Sequence, residues 1–237
     1  MIPLHDDNPT TIQPVITIAL IVTNTVVFLW EVSLGTAGMQ RVAYSLGTIP
    51  AVLLQGQTLP PELALVPAPV TVITAMFLHG GWMHLIGNML FLWIFGNNVE
   101  DAMGHVRFVI FYLAGGLGAA LGQALMDPAS TVPMIGASGA ISGVLGAYLL
   151  LHPHARVLVL IPLGIFSQLV RLPAMWVLGF WFVFQILNSL FTAKGQGGVA
   201  WFAHVGGFIF GLLLIPFFKY PNVPLYNPFS RGGRRHR

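Results

Sequence analysis

The sequence predicts an all-α, polytopic membrane protein, a bundle of six transmembrane helices. Of its 237 residues, 56% are hydrophobic and only 7% charged, with a mean hydropathy of +0.80. About a quarter of an ordinary soluble domain is charged. The apolar residues also fall into blocks of about 20, the length that crosses a bilayer as a helix. Finally, the Lys and Arg residues are divided unequally between the segments that join those blocks, as in multi-pass membrane proteins.

The first block, 14–34, follows MIPLHDDNPTTIQP. That stretch is acidic and proline-bearing, unlike the cationic start of a secretory signal or transit peptide, so 1–13 is read as a cytoplasmic N-terminal segment. Residues 35–78 hold several prolines and scattered apolar patches. They are too broken to span and are expected to form a long extracytoplasmic loop that partly dips into the interface. Blocks at 81–99, 105–126, 134–151, 173–191 and 199–218 complete the six, and the membrane domain runs over 14–218. VLVLIPLGIFSQLV (157–170) is interrupted by Pro162 and Gly164 and is read as interfacial rather than as a seventh span. The tail, 219–237, carries five of the ten Lys and Arg. The net charge of +3 therefore marks an end that meets anionic lipid headgroups rather than a nucleic-acid face. The absence of cysteine excludes disulfides and thiolate chemistry.

Six spans put both termini on one side. That side holds Arg107, Arg156, Arg171, Lys219, Arg231, Arg234, Arg235 and Arg237, against Arg41 and Lys194 on the other. The excess assigns the termini to the cytoplasm.

The polar residues at membrane depth carry the functional signal. The second block opens HGGWMHLIGNMLF, with His79, His84 and Asn88; the last two are four apart and share a helical face. The fourth, MIGASGAISGVLGAYLLL, carries Ser138 and Ser142, and the sixth carries His204. Blocks two, four and six all begin on the outer side, so His84, Asn88, Ser138 and His204 share roughly one depth in the outer part of the bilayer. Gly139, Gly143 and Gly146 on the fourth block, with Gly207 and Gly211 on the sixth, have the spacing that lets helices approach closely. Such a crossing brings the Ser138 hydroxyl within reach of the His204 imidazole, as a serine nucleophile requires of its base. A lone intramembrane serine most often bonds to its own helix, and a lone histidine can simply bond a neighbouring helix. The coincidence of all four is what favours chemistry. The aromatic runs FLWIF and FWFVF are read as lipid-facing or core, without chemistry.

These motifs resemble the rhomboid family of intramembrane serine proteases: GASGAISG around Ser138, AHVGGFIFG around His204, HGGWMHLIGNMLF, and NNVEDAMGHVRFVIFYLAGG with Gly96, Glu100 and Gly104. The resemblance runs from about residue 74 to 215. It implies that Ser138 is the nucleophile and His204 the general base of a dyad, forming an acyl-enzyme. It implies that His84 and Asn88 donate to the oxyanion, with backbone N–H near Ser138. His79, Gly136, Gly139, Gly207 and Gly211 take supporting roles, and the fifth helix with the loop Lys194–Gly198 gates access. Substrates implied are single-span membrane proteins cut near the extracytoplasmic side, in a prokaryotic cell membrane, with no cofactor, metal or nucleic acid. None of the seven acidic residues lies within the catalytic helices at the right depth to orient His204. Ser142 also stands where many members have an aromatic residue that stacks on the imidazole. Two other classes fit these residues less well. A metal site on His79, His84 and His204 lacks Cys and carboxylate ligands. A non-catalytic rhomboid-like binding protein would lack the Ser or the His, and this chain has both.

Overall fold

The computed structural model describes residues 1–191 and 198–226, with the backbone alone at Ile165. Of the expected gate, Lys194 to Gly197 lies outside the described residues, as does most of the basic tail. Six helices stand where six apolar blocks were expected: α1 (Val15–Ser33), then α5 (Trp82–Met103), α6 (His105–Met126), α7 (Ser138–Leu151), α8 (Ala174–Phe191) and α9 (Trp201–Phe218). Between the first two lie α2 (Gly35–Leu46), α3 (Pro50–Leu54) and α4 (Ala68–Thr74). Among the described residues, α1, α6, α8 and α9 are each long and apolar enough to cross a membrane. A fifth span arises if the stretch Ala68–Phe77 and α5, bent by 83°, act as one. α7 has 14 residues, about 21 Å of helix, so by itself it is shorter than the hydrocarbon core. The protein is an integral membrane protein built as a helical bundle.

α7 is the centre of the bundle. Val144, Leu145, Ala147, Tyr148 and Leu151 have no solvent exposure, and the helix packs on α5, α6 and α9. Its contacts with α6 and α9 run through small residues. A Cβ at Gly139 would lie 2.6 Å from that of Ala119, and Gly143 faces Gly115 and Gly211. α1 is fastened by a tertiary cap. The Glu100 carboxylate of α5 accepts the N–H groups of Ile16 (2.9 Å) and Thr17 (2.8 Å) and the Thr17 hydroxyl (2.7 Å). A carboxylate there satisfies orphan donors and lies at the positive end of the helix.

The structure corrects the all-α reading at one place. Residues 157–170 are not simply an interfacial apolar stretch. They form most of a β-hairpin, β2 (Arg156–Ile161) and β3 (Gln168–Pro173), and the N-terminal segment adds β1 (Ile2–Asp6) antiparallel to β2. Pro162 and Gly164, which break a helix, sit in the turn, with Gly164 at φ +63°. The sheet lies at the end of the bundle opposite Ser138 and is joined to two helices. β3 runs directly into α8, and the Tyr148 hydroxyl of α7 donates to Asp6 Oδ2 at 2.6 Å.

Burial raises the Asp6 carboxyl above its ordinary value, against the opposing hydrogen bond from Tyr148. The native state therefore holds this proton more tightly than the unfolded chain does. The associated stability is full below the ordinary value of about 4 and is lost as pH rises through the raised value. Thermal melts of wild type and Asp6→Asn should diverge over that window, the wild type losing more stability with rising pH; parallel curves would contradict the assignment.

Candidate active site

Ser138 opens α7, and the backbone before it is fixed by the segment 35–78. Thr48 and Met134 exchange N–H···O bonds (3.0 and 2.8 Å), the Ala51 N–H donates to Ser130 O, and the Gly136 N–H donates to Ala75 O at 2.8 Å. Gly136 has φ +121°, a conformation that favours glycine. A Cβ there would also fall 2.6 Å from His84 Nε2. The first helical bond of α7 is from the Ile141 N–H to Ala137 O (2.9 Å). The N–H groups of Ser138, Gly139 and Ala140 precede it and have no acceptor within the helix.

The close crossing of α7 and α9 is present. A Cβ at Gly207 or Gly211 would run into the carbonyl oxygen of Gly139 or Gly143 respectively. At that distance His204 Nε2 meets Ser138 Oγ at 2.8 Å. The other ring nitrogen, Nδ1, is 2.8 Å from Gln185 Oε1 on α8. Gln185 Nε2 donates to Trp181 O at 3.2 Å, which turns the amide so that its oxygen faces the imidazole. An amide oxygen only accepts, so the proton is on Nδ1. Nε2 then has its lone pair toward Ser138 and accepts the hydroxyl proton. The Trp181 ring lies 6.0 Å from that of His204 at 33°. Ser142 turns its hydroxyl to Ser138 O at 2.6 Å and leaves the imidazole to α8.

His84 and Asn88 reach the same place from α5. With Ser138, His204, Trp181 and Phe91 they line a cavity of about 660 Å³. The Gly80 N–H donates to His84 Nδ1 (3.2 Å), so the proton of the neutral ring is on Nε2, the atom beside Gly136. Asn88 is buried, and among the described residues its Nδ2 has no acceptor. Two donors and the start of α7 thus surround the serine.

His79, given a supporting role by the resemblance, does not line the cavity and is fully buried. Its ring packs 5.0 Å from that of His84, and its backbone N–H donates to Glu31 Oε2 at 3.0 Å. Among the described residues no three His, Cys, Asp or Glu side chains form a group that could hold a metal. Two residues escaped the sequence reading. Trp181 belongs to the FWFVF run read as having no chemistry, and Gln185 follows it by four on the same face. The available signal was an amide in the middle of an apolar helix, with a second, Asn188, three residues on.

The family model for the Rhomboid domain matches residues 68–221, well over half of the chain. The chain belongs to the rhomboid family. It is 34% identical over 152 residues to Rhomboid-like protease 5 of Toxoplasma gondii, covering 60% of this chain and 15% of that protein. It is 32% identical over 155 residues to the mitochondrial Rhomboid protein 1 of Saccharomyces cerevisiae, covering 62% and 41%. It is 43% identical over 77 residues to the rhomboid protease GluP of Bacillus subtilis, covering 32% and 15%. The matched regions thus span less than half the length of these relatives.

Proposed function

We propose that this rhomboid-family protein is an intramembrane serine endopeptidase that cleaves single-span membrane proteins near the extracytoplasmic side. The carrying observation is the 2.8 Å contact of His204 Nε2 with Ser138 Oγ, within a cavity that also holds two unspent donors. His204 takes the hydroxyl proton as Ser138 Oγ attacks the scissile carbonyl carbon. The carbonyl oxygen becomes an oxyanion facing His84 Nε2–H, Asn88 Nδ2–H and the N–H groups at the start of α7, whose dipole also favours negative charge. Collapse of the tetrahedral intermediate expels the amine, which takes its proton from the imidazolium, and leaves an acyl-enzyme on Ser138. Water, activated by the same base, then releases the acid and restores the serine.

A helical substrate shields its carbonyls in hydrogen bonds, so the substrate unwinds locally, most easily near Gly or Pro. The relatives' names, which include proteases, support the reaction class. The distribution of Lys and Arg supports cytoplasmic termini, and a prokaryotic cell membrane is the location proposed. Substrate and bilayer are the partners proposed, without nucleic acid, metal or cofactor.

The test is covalent labelling in detergent by a fluorophosphonate. Wild type is expected to label, and Ser138→Ala and His204→Ala are not. A folded wild type that labels no more than Ser138→Ala, in both detergent and lipid, refutes the proposal. His84→Ala and Asn88→Ala are each expected to lower kcat by about 10²- to 10³-fold, the usual effect of removing one oxyanion donor, with KM little changed. A loss confined to KM would move both residues from the transition state to ground-state binding.

A further inference from the structure

We propose that Gln185 is the positioning residue for the catalytic imidazole, a neutral third member that selects the reactive tautomer of His204 from the gate-side helix α8. The inference rests on the reading of Ser138 and His204 as nucleophile and base. In an imidazole free to choose, the proton sits on either nitrogen, and only the Nδ1–H form offers Nε2 to the serine. Serine hydrolases usually make that choice with a carboxylate. Here the bond to Nδ1 comes from an amide whose orientation is fixed by its own donation to Trp181 O. Gln185 is itself buried. An amide carries no charge, so it sets the tautomer and ring angle without adding the electrostatic stabilisation of imidazolium that a carboxylate gives.

Ser142 on α7 has its hydroxyl bonded to its own helix. Support for the imidazole thus comes from Gln185 and Trp181, both on α8, with Trp201 edge-on at 6.1 Å. α8 presents Trp176, Phe180, Val183, Phe184 and Leu187 outward, and it packs chiefly on α9. The base is therefore oriented by a helix whose other faces are largely exposed.

The experiment uses the full chain in detergent and in lipid, with Gln185→Leu and Gln185→Met, nearly isosteric and apolar, so that folding is preserved. Ring ¹⁵N spectra of histidine-labelled protein, with the His204 signals identified by their loss in His204→Ala, should show Nδ1 protonated in wild type. Both variants should shift toward the Nε2–H form. Hydrolysis of a small-residue peptide by both variants should show kcat reduced about 10- to 100-fold, part of what a positioned base supplies, with KM unchanged. An unaltered tautomer in the variants, or an unaltered kcat in an enzyme that Ser138→Ala inactivates, overturns the inference while leaving the protease assignment standing. A wild type indistinguishable from Ser138→Ala overturns the protease assignment instead, and the ¹⁵N spectra still decide whether Gln185 sets the tautomer.

Discussion

Ser138→Ala and His204→Ala are each expected to reduce kcat by at least about 10⁴-fold, and the double variant by no more than either alone. The two groups act as one unit. Without the hydroxyl there is nothing for the imidazole to deprotonate, and without the imidazole the hydroxyl stays a weak nucleophile. The geometry leaves no substitute. The second hydroxyl on the same helix, Ser142, is bonded to Ser138 O. The nearest other imidazole, His84, already accepts a backbone N–H on Nδ1 and presents Nε2 as a donor. Single-turnover cleavage of a peptide, measured for the two single variants and the double variant, checks this. Additive losses would mean that Ser138 and His204 serve separate steps.

Gly211→Val is expected to prevent the bundle from assembling, a destabilisation beyond the 4–5 kcal/mol that marks exceptional single substitutions. The Cβ would collide with the Gly143 carbonyl. That obstacle is backbone on a helix whose own surroundings are filled by Gly115 and the fully buried Val144 and Leu145, so it cannot yield. Packing of membrane helices depends on such close approach because lipid offers no hydrophobic drive for association. Gly179→Val is the control, since a Cβ at that position meets nothing within 4 Å. Thermal aggregation in detergent should leave the control within a few degrees of wild type and give no folded Gly211→Val. A folded Gly211→Val would show that α7 and α9 can separate without loss of the fold.

Much of the architecture could be read in advance because hydropathy and small-residue spacing are local signals. The α6 block at 105–126 is reproduced to the residue, and α1, α8 and α9 to within two. The departures have physical causes. α7 begins at Ser138 rather than 134 because Gly136 adopts a left-handed turn held by Ala75 O. α5 continues to Met103 because Asn98, Glu100 and Asp101, too polar for a span, are bonded to the N-terminal segment and α1. The sheet was illegible because it depends on pairing Ile2 with Leu160, a long-range match that alternation in VLVLI alone does not announce. Ser138, His204, His84 and Asn88 were visible as polar groups at one depth. Gln185 was not, since an amide in an aromatic helix looks the same in sequence whether it bonds a backbone carbonyl, as Asn188 does, or also a histidine. Its role emerged only when α8 was placed against α9.

The site also has a consequence for how such chemistry is kept inside a bilayer. The five side chains gathered there, Ser138, His204, Gln185, His84 and Asn88, need carry no formal charge at rest, and the ring protons of His204 and His84 are placed by neutral hydrogen bonds. A resident carboxylate would have imposed a standing Born penalty in a low-dielectric surround. In an electroneutral resting site, the proposed reaction would confine ionisation to the lifetime of the reacting complex, when imidazolium and oxyanion appear together, a few ångströms apart, and offset each other's field.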